Sequence, residues 1–183
     1  MAKKSSKISV VSIVMVALVA VFLVLGIAGV CVDEYLVGVQ EQLDVREPAG
    51  SFQDLTDGSK EYQDMKEQAA DLGIEDASLE YGEKLSSAVA FGYLAIILSA
   101  VCLVMVILSL FFQGGFWGLL TLVAGIATVV IAIIMISTTS AYCSEITDLS
   151  SGVAELKMGA GAILLAVGSI GAGAATVVKK FVK

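Results

Sequence analysis

The chain has 183 residues, 57% of them hydrophobic, with a mean hydropathy of +0.91 and a formal net charge of -7. Soluble domains run nearer about 45–50% apolar, which excludes an ordinary soluble globular domain, a disordered chain and a secreted disulfide miniprotein. There is no His, no Asn and a single Pro.

The charge is sharply segregated. Residues 8–32, 85–144 and 158–178 contain no Asp, Glu, Lys or Arg. A helix needs about 20 apolar residues to cross the hydrocarbon core of a bilayer. The first and last runs each fit one crossing. The middle run fits two, divided at Gln113-Gly114-Gly115. Apolar runs of this length do not alternate as barrel strands do. The expected fold is therefore an all-α integral membrane protein with four transmembrane helices and a small helical acidic extracytoplasmic cap.

In chain order, residues 1–7 form a basic tail with Lys3, Lys4 and Lys7. The first span follows at 8–32. Its apolar stretch far exceeds the roughly 7–15 residues of a signal-peptide core, so it is read as an uncleaved anchor. The segment 33–85 is the only sizeable aqueous part. It carries 15 acidic residues between Asp33 and Glu83, against Arg46, Lys60 and Lys66. Tyr35, Val39 and Leu43 repeat at four-residue spacing, so a helix is expected to run on beyond the first span as far as Pro48-Ala49-Gly50. Tyr62, Met65, Ala69 and Leu72 make a second helical stripe. Asp57 or Ser59 would cap its start and Gly73 its end. Ile74, Leu79 and Leu85 would lead into the second span.

The second and third spans are expected at 86–112 and 116–139, joined by the tight turn 113–115. A short loop at 140–157 precedes the fourth span, 158–178. A basic tail at 179–183 closes the chain, with Lys179, Lys180 and Lys183. Both termini pack three Lys beside a span, whereas the first loop spreads its basic residues over some 50 positions. Counted near the spans, this density places both termini in the cytoplasm and segments 33–85 and 140–157 outside.

Much chemistry is excluded. Without His, the usual zinc sites lose their commonest ligand and imidazole acid–base catalysis is impossible. No Asp, Glu, Lys or Arg lies inside an expected span. Proton relays, voltage sensors and most coupled carriers depend on such groups. No catalytic, cofactor-binding or metal residue is expected. Asp33-Glu34, Glu75-Asp76 and the pair Glu145 and Asp148 are acidic enough to attract cations, but none has calcium-loop spacing. Nothing points to nucleic acid.

Cys31 ends the first span and Cys143 follows the third on the same side. A disulfide between them is one reading, and two separate small apolar residues the other. Cys102, in mid-span, is read as packing. Small residues make stripes that let helix backbones approach closely. In the fourth span these are Gly161, Gly168, Ala172 and Ala175, with Ser169 and Gly173 as a second pair. In the second span they are Gly92, Ala95, Ser99, Cys102, Val106 and Ser109. In the third they are Thr121, Ala124, Gly125, Thr128 and Ala132. Either the stripes close the chain's own bundle, or the surplus on the fourth helix is kept for a partner or a second copy. Phe111, Phe112, Phe116 and Trp117 around the inner turn, and Tyr35 and Tyr142 outside, suit interfacial anchors.

Inward termini, a large first outer loop and a smaller second one resemble the topology of the claudin and peripheral-myelin families. The resemblance is one of layout. Their first loop is rich in strands and carries a Trp, a Gly-Leu-Trp motif and a Cys pair. Segment 33–85 has a helical pattern, no Trp and no Cys. No function follows from the likeness.

The expected function is non-enzymatic association. The chain would be an accessory or scaffold subunit of a membrane complex, or a self-associating envelope protein. Its partners would be membrane lipids and a membrane protein or a second copy. The alternatives are an oligomeric channel or carrier for neutral solutes, lined by Ser99, Ser109, Thr121 and Thr128, and a holin-like or immunity membrane protein.

Overall fold

The computed structural model describes residues 10–40, 45–73, 80–112, 115–150 and 155–181. Of these, 84% are helical. The basic tail 1–7, Leu43, Ile74, the Glu75-Asp76 pair, Leu79, and Gln113 and Gly114 of the turn lie outside the described residues.

Four helices are long and apolar enough to cross a membrane. The first, α1, spans Val10–Cys31. It is apolar on every side and leaves Val10, Ile13, Val14, Val21, Val24 and Ile27 exposed. A helix apolar all round belongs in a core or in lipid. At about 1.5 Å per residue its 22 residues match the roughly 30 Å of hydrocarbon.

After α1 the chain turns into an extended strand, β1 (Leu36–Gln40), paired antiparallel with β2 (Val45–Gly50). This corrects the expected helix through Tyr35, Val39 and Leu43. Leu36, Val37 and Val39 are at home in a strand. What fixes them there is a distant partner, because β1 also pairs antiparallel with β3 (Glu155–Met158). The sheet order is β2-β1-β3. Pro48 sits in edge strand β2, where its missing N–H is tolerated. The expected all-helical cap is thus a sheet plus one helix, with strands drawn from both connecting segments.

That helix, α2, covers Phe52–Asp71 and ends at Gly73, whose φ of 74° is left-handed. It starts earlier than Asp57 or Ser59 would have set it. Ser51 is the N-cap.

Helix α3 (Glu80–Phe111) begins six residues before the expected 86, and α4 (Gly115–Leu149) runs ten past the expected 139. Their 32 and 35 residues make helices of about 48 and 52 Å, well beyond the hydrocarbon thickness. The overhangs carry the charges that close the apolar runs. Lys84 Nζ meets Glu145 Oε2 at 2.7 Å, joining the two overhangs. Most of the expected loop 140–157 is therefore helix and strand.

Helix α5 (Ala160–Phe181) follows β3 after Gly159. It packs most against α1 and α4, while α3 packs most against α4. Helix α5 is the most buried of the four long helices, with Ile163, Val167, Ala174 and Val178 as its main exposed positions between the first residue and the last turn. Lys179 and Lys180 lie in its final helical turn and not in a separate tail. The sheet and α2 form a head at the end where α1 and α4 finish and α3 and α5 begin.

Candidate functional site

The head is the only part of the described chain that is not a long apolar helix. Helix α2 is set by a reciprocal cap. Ser51 Oγ accepts from Asp54 N–H at 3.2 Å, and Ser51 N–H donates to Asp54 Oδ2 at 2.8 Å. The Ser51 hydroxyl donates to the same carboxylate oxygen at 2.7 Å. Backbone and hydroxyl bonds from Ser51 hold the Asp54 carboxyl below the usual aspartate range.

One face of α2, Phe52, Leu55, Thr56, Ser59 and Tyr62, is buried. It lies antiparallel along α3. Phe52 covers Gly92, and Tyr62, ten residues further on, covers Gly82, ten residues back. Between them Ser59 Oγ donates to Ser86 Oγ at 3.0 Å. Phe52 also packs on Tyr35 and, edge to face, on Tyr93, with ring centroids 5.0 and 5.1 Å away.

The second half of α2 stands clear of this contact. From Gln63 to Gly73 every residue is exposed except Ala69, which is half-buried. Met65 and Leu72, expected on an apolar stripe, are 53% and 77% exposed. Asp57, Glu61, Asp64 and Asp71 share one outward face by spacing. Lys60 pairs with Asp57 at 3.0 Å, and Lys66 with Glu83 at 3.1 Å. The hydrogen bond to Glu83 raises the Lys66 ammonium above its ordinary value.

The joint between head and helices is built from backbone. Gly159 N–H donates to Tyr35 O at 2.9 Å, and Gly161 N–H to Glu34 O at 3.0 Å. A side chain at either glycine would collide with this crossing. Tyr35 itself is 1% exposed. Burial pushes its phenol up to about 12, against the pull of the neighbouring Thr139 hydroxyl and with a small push from Cys143. Neither the Tyr35 nor the Thr139 hydroxyl meets a partner at hydrogen-bond geometry.

The small residues of the stripes lie inside the chain's own bundle. Gly161 abuts Gly29, and Gly168 abuts Gly26 and the Phe22 carbonyl of α1. On the other side of α5, Gly173 meets Gly125 of α4. Ala172, Ala175 and Ser169 are buried as well. The apparent surplus of small residues on α5 is thus taken up by two neighbours at once. Gly92 takes the Phe52 ring, and Ser99 is buried with its hydroxyl on its own helix, at Ala95 O, 2.7 Å away. Ser109, Thr121 and Thr128 likewise donate to carbonyls of their own helices. Cys102 Sγ lies 3.1 Å from Thr128 Oγ1 across the α3–α4 contact.

All three cysteines are free thiols. Of the two readings for Cys31 and Cys143, the structure has them as separate side chains: Cys31 is exposed at the end of α1, whereas Cys143 is buried in the core beneath the head. Among the described residues no three His, Cys, Asp or Glu side chains gather as a metal site would require. Glu145, weighed as a cation ligand, is committed to Lys84.

Sequence reasoning missed Ser51, Phe52, Gly82 and Gly159. Ser51-x-x-Asp54 resembles a capping-box pattern and was the available signal for the first. Gly82 and Gly159 have no local signature, because what they admit comes from far away in the chain.

No family model, curated protein or solved structure matches the chain. The strands β1 and β2 remove one contrast with the strand-rich first loop of the claudin layout. The lack of Trp and Cys in 33–85 remains.

Proposed function

We propose that the chain is a non-enzymatic integral membrane protein that acts by association, with both termini cytoplasmic and the head outside. It serves as an accessory or scaffold subunit of a membrane complex or as a self-associating envelope protein. Its lipid-facing helices and Lys-rich ends suit a bilayer with anionic cytoplasmic headgroups. The observation that carries the reading is the posture of α2. Half of the helix is fixed to α3 by two aromatic–glycine contacts, and the other half is held out, acidic, with Met65 and Leu72 uncovered. A rigid, presented surface of this kind suits recognition better than catalysis.

Photo-crosslinking from Met65 and Leu72 in intact membranes tests it. A stoichiometric foreign protein on these positions makes the chain an accessory subunit. Self-crosslinks alone make it a homo-oligomer. Absence of any protein adduct from either position contradicts the reading.

A further inference from the structure

The chain has seven threonines, and all lie on helices. Six donate their hydroxyl to the carbonyl four residues back: Thr56, Thr121, Thr128, Thr138, Thr147 and Thr176. Thr139 does not, although it is fully buried. The reason stands next to it. The acceptor four residues back is Met135 O, which already takes the Thr139 N–H of the helical ladder. Thr138 Oγ1 shares its proton with the same carbonyl at 3.0 Å. Both lone pairs are then in use, and the Thr139 hydroxyl is left to find a partner off its own helix.

The group beside it is the phenol of Tyr35, buried where the chain leaves α1 for β1. The two hydroxyls are neighbours, yet neither meets a partner at hydrogen-bond geometry. Each can donate one bond and accept others. Leaving both dry is costly, and buried polar groups without a protein partner are what internal waters bind. Water also has an approach. Cys143, one turn beyond Thr139 on α4, packs in the same core cluster as Tyr35. It also lines a cleft of about 480 Å³ between α4 and β3. The cleft and the hydroxyl pair therefore share Cys143 as a neighbour.

We propose that Tyr35 and Thr139 bind one buried water molecule. The water accepts from one hydroxyl and donates to the other, and so ties the base of the head to α4 by bonds that the two side chains do not make directly. This site does not depend on the orientation of the chain or on its partners.

X-ray radiolysis of the full chain in detergent, read by mass spectrometry, tests it. The pulse makes hydroxyl radicals from bound water in place, so a buried ring beside such a water is oxidised and a dry one is not. Tyr35, although 1% exposed, should be oxidised within about tenfold of the rate at half-exposed Tyr81. A held water also exchanges slowly. When the protein is mixed into oxygen-18 water just before the pulse, the oxygen added to Tyr81 should be heavy at once and that added to Tyr35 should lag. Thr139→Val, similar in size but without the hydroxyl, should lower the Tyr35 rate by about fivefold or more, while Thr139→Ser keeps it. An unoxidised Tyr35 overturns the site and leaves a dry pair. So does a Tyr35 that takes up oxygen-18 as promptly as Tyr81, or a Tyr35 rate unchanged in Thr139→Val. The first two readouts use the wild type alone, which keeps the test independent of how well the valine variant folds.

Discussion

Phe52 is seated on Gly92, so closely that a side-chain carbon at Gly92 would lie 2.7 Å from Phe52 Cε2. Tyr62 stands in the same relation to Gly82. These two contacts anchor α2, and substitutions at the glycines displace it. Overpacking of this kind costs about 1–3 kcal/mol. Gly82→Val and Gly92→Val should each raise the rate of tryptic cleavage at Lys60 and Lys66 by about tenfold, the amount expected when a local unit opens more often. Cleavage at the wild-type rate in both variants would mean that α2 is not docked on α3.

The crossing of α1 and α5 is less forgiving. At Gly168 a new side chain meets backbone atoms of Gly26 and Phe22, which cannot rotate away. Gly168→Leu should lower the thermal midpoint in detergent by far more than Gly118→Ala, where the space is open to ordinary contact with Lys180. At half-buried Gly118 alanine meets only ordinary contacts and gains helix propensity of about 0.5–1 kcal/mol, so no destabilisation is expected there. Equal midpoints for the two variants would contradict the packing.

Lys179 is a stabilising residue and not part of a loose tail. Its Nζ donates to Val106 O at 2.6 Å and to Ser109 Oγ, near the C-terminal end of α3. A cation there adds a charged donor to the last two turns of α3 and complements the helix dipole. Lys179→Met should destabilise by about 1–2 kcal/mol, and exposed Lys180→Met by less than about 0.5 kcal/mol. Denaturation in detergent reads both values. Equal effects would show that only charge near the terminus matters.

The helices were legible in the sequence because each is a charge-free run, visible without knowing any neighbour. The head was not. Leu36, Val37 and Val39 form a strand on account of Glu155–Met158, more than a hundred residues away, and local four-residue spacing suggested a helix instead. The spacing of Tyr62, Met65, Ala69 and Leu72 marks a helix but not which face docks, and α2 turns Phe52, Leu55 and Tyr62 inward. The small residues of α5 were legible as packing residues. That they serve α1 and α4 together becomes visible only in three dimensions, and it removes the main sequence argument for a face reserved for a partner.

Tyr35 provides a pH signature. Its folded value of about 12 lies above the ordinary 10.0 because burial disfavours the phenolate. A raised folded value contributes stability that is complete below the unfolded value and is lost as pH rises through the folded one. The head should therefore loosen between about pH 10 and 12, with one tyrosine ionising last in an ultraviolet titration. Tyr35→Phe should remove that late step. A late step that persists in Tyr35→Phe would assign it to another tyrosine.

The most direct test of the whole account is accessibility of single introduced cysteines, placed in a background lacking Cys31, Cys102 and Cys143, in sealed cells or vesicles. Asp57→Cys and Ser150→Cys should react with an impermeant thiol reagent from outside, and Ser5→Cys and Val182→Cys only after the membrane is opened. Labelling of Asp57→Cys from the cytoplasmic side alone would contradict the proposed orientation and place the head, with its uncovered half-helix, among cytoplasmic partners.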